Sequence, residues 1–400
     1  MNLDVFDLHE SEVRSYCRTF PAMFEKAQGS WLYDSDGKAY LDFFAGASVL
    51  NYGHNHPKLK QALLDYISGD GIAHSLDMGT KAKAEFLEAF HKHILEPRGM
   101  PHRVQFPGPT GTNSVEAALK LARKVKGREK IISFTNAFHG MTLGALSVTG
   151  NAFKRSGAGI SLTHSDSMPY CHYFGPEVDT IEYMERLVAD SGSGVDLPAG
   201  VIVETIQAEG GINVAEQEWL LRLQELCRKH DMLLIVDDIQ VGCGRTGPFF
   251  SFDGMGLDPD IVCLSKSISG YGVPLAVTLI KPEYDIWEPG EHNGTFRGHN
   301  LAFVTGKHAL ELFWSDDSLQ KQVAANSETM RKALQRTCNK FPQARGRVKG
   351  RGMLQGIEFE NPELARTASR AAFDHGLIVE TSGPQDQVLK LLPPLTISKA

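Results

Sequence analysis

The chain has 400 residues, 42% of them hydrophobic, which is enough to bury a large core. A chain of this length is too long for one ordinary core, which predicts two domains. Its net charge of −7 is mildly acidic and no basic patch stands out, which argues against a nucleic-acid binder. The six cysteines are scattered without CxxC spacing, so we expect buried, reduced thiols rather than a disulfide framework or a metal site.

The first fifty residues are predicted to form an extended arm with a hairpin. Residues 1–7 are acidic and lack the apolar core of a signal peptide, and no apolar run approaches the roughly 20 residues of a membrane span. We therefore expect a cytoplasmic protein without a membrane segment. Trp31–Asp34 and residues 37–42 flank a turn, which is typical of paired strands. We expect residues 1–50 to pack on a small domain formed later in the chain.

Between about residues 105 and 280, helices alternate with short apolar strands. The predicted helices are 115–126 and 219–230, and the predicted strands are 131–134, 201–204, 233–236, 261–264 and 275–280. Continuous apolar runs indicate strands buried on both faces, which predicts an α/β fold with a mostly parallel sheet covered by helices. Ligands of such sheets bind at the carboxyl ends of the strands. The residues that follow the strands, Glu204, Asp237 and Lys266, are therefore candidates for a site.

The chain after about residue 315 predicts a smaller α+β domain. Its predicted helices are 319–341 and 364–375, and its predicted strands are 354–359, 377–380 and 388–392. The predicted division is an arm over 1–50, a large domain over 51–312 and a small domain over 313–400.

The turn Gly108–Ser114 comes directly before a predicted helix. Small residues at a helix N-terminus leave backbone N–H groups unpaired, and the helix dipole favours an anion there. The turn fits a phosphate site, but a capped helix start without a ligand explains it as well.

Two further segments place charged side chains at strand ends. Asp237 ends a buried strand and precedes a glycine-rich loop, which suits pairing with a cationic ring nitrogen, a helix cap or an ion pair with Arg245. Lys266 follows another strand directly. A lysine amine has an ordinary pKa of about 10.4 and needs a special site to act as a nucleophile, so a surface lysine is the alternative.

Together these segments resemble the class III aminotransferases, a family that uses pyridoxal 5′-phosphate. The similar stretches are Thr110–Ser114, Asp237–Gly247 and Ser265-Lys266, and the spacing from Asp237 to Lys266 also resembles that of the family. The resemblance covers nearly the whole chain, from Trp31 to Pro394. It implies the type I fold of pyridoxal-phosphate transferases, a large domain with a smaller one, and self-association as a dimer or tetramer with shared active sites.

The resemblance implies roles for the two catalytic candidates. Lys266 would hold the cofactor as a Schiff base and, once released by substrate, would move a proton as general acid and base. Asp237 would keep the pyridine nitrogen protonated. The remaining implied cofactor contacts are Gly111 and Thr112 on the phosphate, Phe138 stacked on the ring, Gln240 near the ring's 3′-oxygen and Thr295 reaching the partner subunit's phosphate. His139 is either a cofactor contact or a packing histidine.

The resemblance also implies substrate contacts. Glu209 matches a glutamate that switches the site between two substrates. Lys390 is a candidate for a substrate carboxylate, Arg297 is an alternative to it, and Tyr52 is a further candidate. His54 and His56 are spaced like metal ligands, but the similar stretch in the family is structural, and we expect no metal.

Longer strings resemble a narrower group, the diaminobutyrate–2-oxoglutarate aminotransferases of ectoine biosynthesis. These strings are 51–54, 74–78, 236–245 and 289–298. The resemblance implies transfer of the amino group of L-glutamate to L-aspartate 4-semialdehyde in a ping-pong cycle, which gives L-2,4-diaminobutyrate and 2-oxoglutarate.

The chain departs from the wider family at two substrate positions. Many members have an arginine where Met141 stands, and methionine cannot pair with a carboxylate. Many also have an arginine where Lys390 stands, and lysine offers a point charge without a bidentate fork.

Alternative functions stay open at this point. Another class III enzyme could act on ornithine, on 4-aminobutyrate, or on diaminobutyrate for a siderophore, although Met141 argues against the first two. A non-enzymatic aminotransferase-like sensor would need a DNA-binding module, for which there is no room before Trp31.

Overall fold

The structure, a computed structural model, describes residues 3–398. The first two and last two residues lie outside the described range. The acidic segment 1–7, on which the expectation of no signal peptide rests, is therefore described only from residue 3. Within the described residues, no helix combines the length and apolar composition that crossing a membrane requires.

The N-terminal region forms three short helices and a small sheet. Its elements are α1 (Asp4–His9), α2 (Tyr16–Thr19), β1 (Phe24–Gln28), β2 (Trp31–Asp34), β3 (Ala39–Asp42) and α3 (Ala45–Ser48). The predicted hairpin is confirmed, because β2 pairs antiparallel with β3.

The large middle region alternates helices and strands. Its helices are α4 (Pro57–Ser68), α5 (Lys81–Phe90), α6 (Gly111–Lys126), α7 (Leu143–Ser147), α8 (Ala152–Ser156), α9 (Thr180–Ala189), α10 (Gln217–Lys229) and α11 (Asn300–Phe313). Its strands are β4 (Arg103–Gln105), β5 (Ile131–Phe134), β6 (Ser165–Met168), β7 (Gly200–Val203), β8 (Ile206–Gln207), β9 (Asn213–Val214), β10 (Leu233–Asp237), β11 (Ile261–Leu264) and β12 (Val277–Ile280).

The C-terminal region completes the chain with two long helices and a second sheet. Its elements are α12 (Ser318–Lys340), β13 (Gly346–Arg351), β14 (Leu354–Phe359), α13 (Pro362–Asp374), β15 (Leu377–Ile378), β16 (Glu380–Ser382) and β17 (Val388–Leu391).

A seven-stranded sheet with the order β4-β12-β11-β10-β7-β5-β6 forms the centre of the molecule. Strands β11, β10, β7, β5 and β6 run parallel, and all residues of β5, β7, β10, β11 and β12 are buried. The mostly parallel sheet is therefore confirmed. Strand β12 runs antiparallel to both of its neighbours, β11 and β4. The connection from β11 to β12 contains no α-helix, and without such a crossover the chain can only return antiparallel.

Helix α6 shows how the sequence places one wall of the site. Val115, Leu119 and Ala122 are fully buried at helical spacing, so this face packs on the sheet. The helix starts after Thr110, whose backbone N–H donates to Asn113 Oδ1 at 3.2 Å, four residues earlier than the predicted start. Ser114 Oγ donates to the carbonyl of Val277 at 2.9 Å, which fixes the N-terminal turn of α6 against β12.

The C-terminal sheet has the order β13-β14-β17-β16, with antiparallel pairing throughout. The predicted strand 377–380 is wrong as a single strand. Leu377 and Ile378 pair with β3 in the N-terminal sheet, whereas Glu380 begins β16 beside β17. The N-terminal hairpin thus shares a sheet with the C-terminal region. The division at residues 50 and 312 stays a prediction.

Candidate active site

Three charged side chains follow neighbouring strands of the central sheet at the same edge. Glu204 follows β7, Asp237 ends β10 and Lys266 follows β11. The register aligns Val236 with Val203 and Asp237 with Cys263. Because parallel strands end at one edge, the fold gathers side chains that lie far apart in sequence, as the sequence predicts.

Lys266 stands in a special backbone and electrostatic environment. Its φ of +54° lies in the left-handed region, which costs free energy for a residue with a Cβ. Its neighbours anchor the backbone, since Ser265 Oγ donates to the carbonyl of Leu275 at 2.8 Å and Ser267 Oγ donates to the carbonyl of Ser48 at 2.6 Å. Burial lowers the pKa of the Lys266 amine to about 8, although Glu209 opposes the shift. The amine is therefore neutral far more often than an ordinary lysine amine.

Asp237 and His139 form a buried pair. His139 Nδ1 lies 2.7 Å from Asp237 Oδ2, and the backbone N–H of Ile239 donates to the other carboxylate oxygen at 3.1 Å. Because a carboxylate only accepts, Nδ1 carries the hydrogen. The opposite ring nitrogen, His139 Nε2, is buried and has no hydrogen-bond partner among the described residues. Such an orphan atom beside a carboxylate marks a place where a polar group is expected.

Glu204 is a second buried carboxyl beside this pair. Burial raises its pKa well above the usual range, and the charge of Asp237 adds to the shift. One carboxyl oxygen, Oε2, accepts the backbone N–H of Phe138 at 3.1 Å. Glu204 therefore anchors the loop that carries Phe138 and His139.

Lys390 holds two carboxylates together at the boundary between the two regions. Its side chain is completely buried, with Nζ 2.7 Å from Glu209 Oε1 and 3.0 Å from Glu380 Oε1. Burial alone would lower the pKa of Lys390, but the two carboxylates outweigh it and raise that pKa. Burial alone would likewise raise the pKa of Glu209, but Lys390 lowers it to about 2. Burial raises the pKa of Glu380 to about 7.

The N-terminal turn of α6 lies close to the end of β10. A Cβ on Gly111 would lie 3.0 Å from the side chain of Ile239, and a Cβ on Gly140 would overlap Thr112 Oγ1 at 2.3 Å. Thr112 and Thr142 hydroxyls are 2.7 Å apart, and Thr142 donates to Glu116. Thr112 Oγ1 therefore donates to Thr142, which leaves backbone N–H groups as the donors that this turn can offer to an anion.

Three predicted site residues lie elsewhere in the single chain. Tyr52 is buried in the core, where its hydroxyl accepts from Trp314 Nε1 at 2.8 Å, so the structure does not bring it to Lys266. Arg297 Nη1 lies 3.7 Å from Asp77 Oδ2, which fits an ion pair at the surface. The backbone carbonyl of Thr295 accepts from His74 Nε2 at 2.8 Å. The role of Thr295 on the partner subunit's phosphate and that of Arg297 on a substrate carboxylate stay predictions.

Gln240, His54 and His56 have partners within the described part of the chain. Gln240 Nε2 donates to Glu209 Oε1 at 2.9 Å and to the carbonyl of Ala47 at 3.2 Å, so its amide already holds the Glu209–Lys390 pair. His54 Nε2 lies 2.7 Å from Asp42 Oδ2 and His56 packs edge-on against Phe313. Both histidines thus have packing partners.

Sequence reasoning missed Glu380 and left Glu204 without a role. Glu380 follows the apolar run Leu377–Val379, and a carboxylate that ends such a run signals a buried partner. Glu204 ends a buried strand just as Asp237 does, and its position was the available signal.

Comparisons with known proteins agree with this geometry. The family model described as aminotransferase class III matches residues 14–400. The diaminobutyrate–2-oxoglutarate transaminase of Streptomyces anulatus is 61% identical over 99% of this chain and 94% of that protein. The protein of the same name from Virgibacillus pantothenticus is 58% identical over 99% of this chain and 95% of that protein.

Solved structures give the same fold. The crystal structure of the ornithine aminotransferase from Toxoplasma gondii ME49 matches with a TM-score of 0.85 and 27% identity, covering 99% of this chain and 90% of that one. A Bacillus anthracis aminotransferase matches with a TM-score of 0.85 and 25% identity, covering 100% and 96%. With its full-length family match, its relatives and its lysine at the sheet edge, this chain belongs to the class III aminotransferases, whose cofactor is pyridoxal 5′-phosphate.

Proposed function

We propose that this chain is a diaminobutyrate–2-oxoglutarate transaminase that moves the amino group of L-glutamate to L-aspartate 4-semialdehyde. The observation that carries the proposal is the agreement of its relatives. The proteins from Streptomyces anulatus and Virgibacillus pantothenticus, 61% and 58% identical, both bear that name over nearly the whole chain. Met141, where the wider family usually has an arginine, argues against the ornithine and 4-aminobutyrate enzymes.

The residues at the sheet edge fit pyridoxal phosphate. A lysine with a lowered pKa, an orphan buried nitrogen on His139 and a helix start with free backbone N–H groups lie around one edge of the sheet. When bound, the cofactor supplies a carbonyl that exchanges amino groups and a ring that accepts electrons. Lys266 would hold it covalently, Asp237 and His139 would face the ring nitrogen, and Gly111 and Thr112 would hold the phosphate. Phe138 would stack on the ring.

Lys266 is the group that moves the proton. Its lowered pKa of about 8 keeps a useful fraction of the amine neutral near neutrality, so that it can take a proton from the substrate carbon and return it. Among the charges around it, Lys390 also lowers the Lys266 pKa, whereas Glu209 and Glu380 raise it and so limit the shift that burial causes. Asp237 is held in place by its contact with His139 Nδ1 at 2.7 Å.

Glu209 and Lys390 provide for two different substrates in turn. Glutamate has a carboxylate beside its reacting carbon, and Lys390 can pair with it once Glu209 swings away. Diaminobutyrate has no carboxylate beside its reacting carbon, and Glu209 then keeps Lys390 neutralised. Glu380 holds Lys390 in both states, because it is a second carboxylate, 3.0 Å from the amine.

Two features support a shared site between copies of the chain. Thr295 contacts His74 rather than Lys266, and the neighbouring Leu76, Met78 and Phe296 are 50%, 62% and 59% exposed. An exposed apolar patch of this kind marks an interface. The proposed assembly is a dimer or tetramer in which Thr295 reaches the partner's phosphate. A monomer in sedimentation, with undiminished cofactor retention in Thr295→Ala, would contradict it.

The proposed place of action is the cytoplasm, where the product would feed ectoine synthesis. The test of the function is a half-reaction with the cofactor-loaded protein. L-2,4-diaminobutyrate, L-ornithine and 4-aminobutyrate are added separately, and the absorbance of the lysine-bound cofactor is followed. We expect the fastest conversion with diaminobutyrate and its reversal by L-aspartate 4-semialdehyde. Faster conversion with ornithine or 4-aminobutyrate would contradict the proposal.

A further inference from the structure

The donor L-glutamate and the product L-2,4-diaminobutyrate of the proposed reaction each have a carboxylate at the end of the molecule away from the reacting carbon. In glutamate, two methylenes separate that carboxylate from the reacting carbon. In diaminobutyrate, one methylene and the α-carbon separate it from reacting C4. The two chains are equally long, so one cation at a fixed position can bind both carboxylates. The family's usual arginine for this purpose is replaced by Met141, whose half-exposed thioether has no charge.

A cavity of about 220 Å³ lies beside the candidate active site. Its walls include Phe138, Glu209 and Lys154. Phe138 belongs to the loop anchored by Glu204, and Glu209 holds Lys390 at 2.7 Å. The cavity therefore borders Phe138, which we assign to the cofactor, and Glu209, which pairs with the lysine that we assign to the first substrate carboxylate.

Lys154 is the cation of this cavity. Its Nζ lies 4.1 Å from the centre of the Phe138 ring, and among the described residues it has neither an ion-pair nor a hydrogen-bond partner. The side chain is half-buried, so an unpaired charge here is only partly compensated by water. By contrast, Lys390 already has two carboxylates, Glu209 and Glu380.

The backbone around Lys154 is fixed. Asn151 caps the short helix α8, because its side chain accepts the backbone N–H of Lys154 at 3.0 Å. The next residue, Arg155, donates through Nη1 to the carbonyls of Leu146 and Thr149 at 3.2 and 2.9 Å. These bonds hold α8 against the preceding turn and fix the backbone from which the Lys154 side chain extends.

We propose that Lys154 binds the distal carboxylate of both substrates and so replaces the arginine that is absent at Met141. For diaminobutyrate, this inference rests on the proposed function. For glutamate, it rests only on membership of the class III aminotransferases. Lys390 and Lys154 then hold the two carboxylates of glutamate, whereas diaminobutyrate uses Lys154 only.

The first experiment is a binding measurement that needs no turnover. Glutarate has the two carboxylates of glutamate but no amino group, and its affinity for the cofactor-loaded enzyme is measured by calorimetry. We expect Lys154→Met to weaken glutarate binding about 10- to 30-fold, as expected for loss of a half-buried charge pair. Lys154→Arg should stay within a few-fold of the wild type. Lys340→Met is the matched control, because Lys340 also lies over a ring, that of Phe341, but on the distant helix α12.

The second experiment separates carboxylate binding from support of Phe138. L-2,4-diaminobutyrate and 1,3-diaminopropane differ only by the carboxylate, and both are compared in the half-reaction. We expect Lys154→Met to raise the KM for diaminobutyrate and glutamate while the reaction with 1,3-diaminopropane is unchanged. Equal losses with both diamines would mean that Lys154 only supports Phe138 and would overturn the inference. So would unchanged glutarate binding. A wild type that converts glutamate but not diaminobutyrate would instead contradict the proposed function. The glutarate measurement would then still test whether Lys154 binds the distal carboxylate.

Discussion

Two lysines, one half-buried at the edge of the central sheet and one fully buried on the C-terminal sheet, show opposite electrostatic behaviour. Burial lowers the pKa of Lys266 to about 8, whereas the pKa of Lys390 is raised. The difference lies in the carboxylates: Lys390 lies within 3.0 Å of both Glu209 and Glu380, and Lys266 pairs with neither. Burial without a paired carboxylate therefore lowers the pKa of a lysine and favours its neutral, reactive amine. Burial beside two paired carboxylates raises the pKa and keeps the lysine positively charged.

The largest expected effect concerns the reactive lysine. Lys266→Ala should reduce the rate of the glutamate half-reaction about 10³-fold or more, because it removes both the covalent anchor and the proton carrier. Single-turnover absorbance measures this rate. Lys340→Ala, at the end of α12, is the control and should keep the wild-type rate. A Lys266→Ala rate within tenfold of the wild type would contradict the assignment.

The paired lysine should matter for stability. Lys390→Met leaves Glu209 and Glu380 buried without their cation, which should lower the free energy of unfolding by about 3–5 kcal/mol. Urea unfolding measures the change. The double variant Lys390→Met/Glu380→Gln should recover part of that loss, since it removes one of the uncompensated carboxylates. A double variant less stable than Lys390→Met would show that the carboxylates do not set the cost.

The reactive lysine should also reveal itself through pH. With a pKa of about 8, the rate at which pyridoxal phosphate attaches to the apoenzyme should rise with pH up to about 8 and then level off. An ordinary lysine, with a pKa of about 10.4, would show a continuing rise well above pH 8. Stopped-flow absorbance gives the profile. A rate still rising steeply above pH 9 or so would contradict the lowered pKa.

The smallest expected effect links the two lysines. Glu380 raises the pKa of Lys266, so Glu380→Gln should move the midpoint of the attachment profile to lower pH by less than about one unit. The same variant should alter stability against pH. The folded pKa of Glu380, about 7, lies above its unfolded value of about 4.3, so its contribution is present below pH 4.3 and is lost as pH rises through 7. Glu380→Gln should flatten the curve in that window. A midpoint shifted to higher pH would contradict this coupling.

Much of the fold could be predicted from the sequence because buried parallel strands are continuous apolar runs. Strands β5 and β11 match their predicted bounds, and β10 differs only by including Asp237. The apolar pattern did not predict strands with few apolar residues, and it did not show where one apolar run divides between two sheets. Strand β13, Gly346–Arg351, has few apolar residues and was not predicted. The run from Leu377 to Glu380 is continuous in sequence but divides between two sheets.

The sequence by itself determined the chemistry at the sheet edge. Lys266, Asp237 and Glu204 each follow an apolar run, and parallel strands necessarily bring such positions together. The tertiary structure alone decided the partners of Lys390, the core position of Tyr52 and the unpaired state of Lys154. Those contacts join residues that are distant in sequence, through loops and sheet boundaries that no local periodicity specifies. Burial and pairing, which set the pKa of each lysine, exist only once the chain is folded.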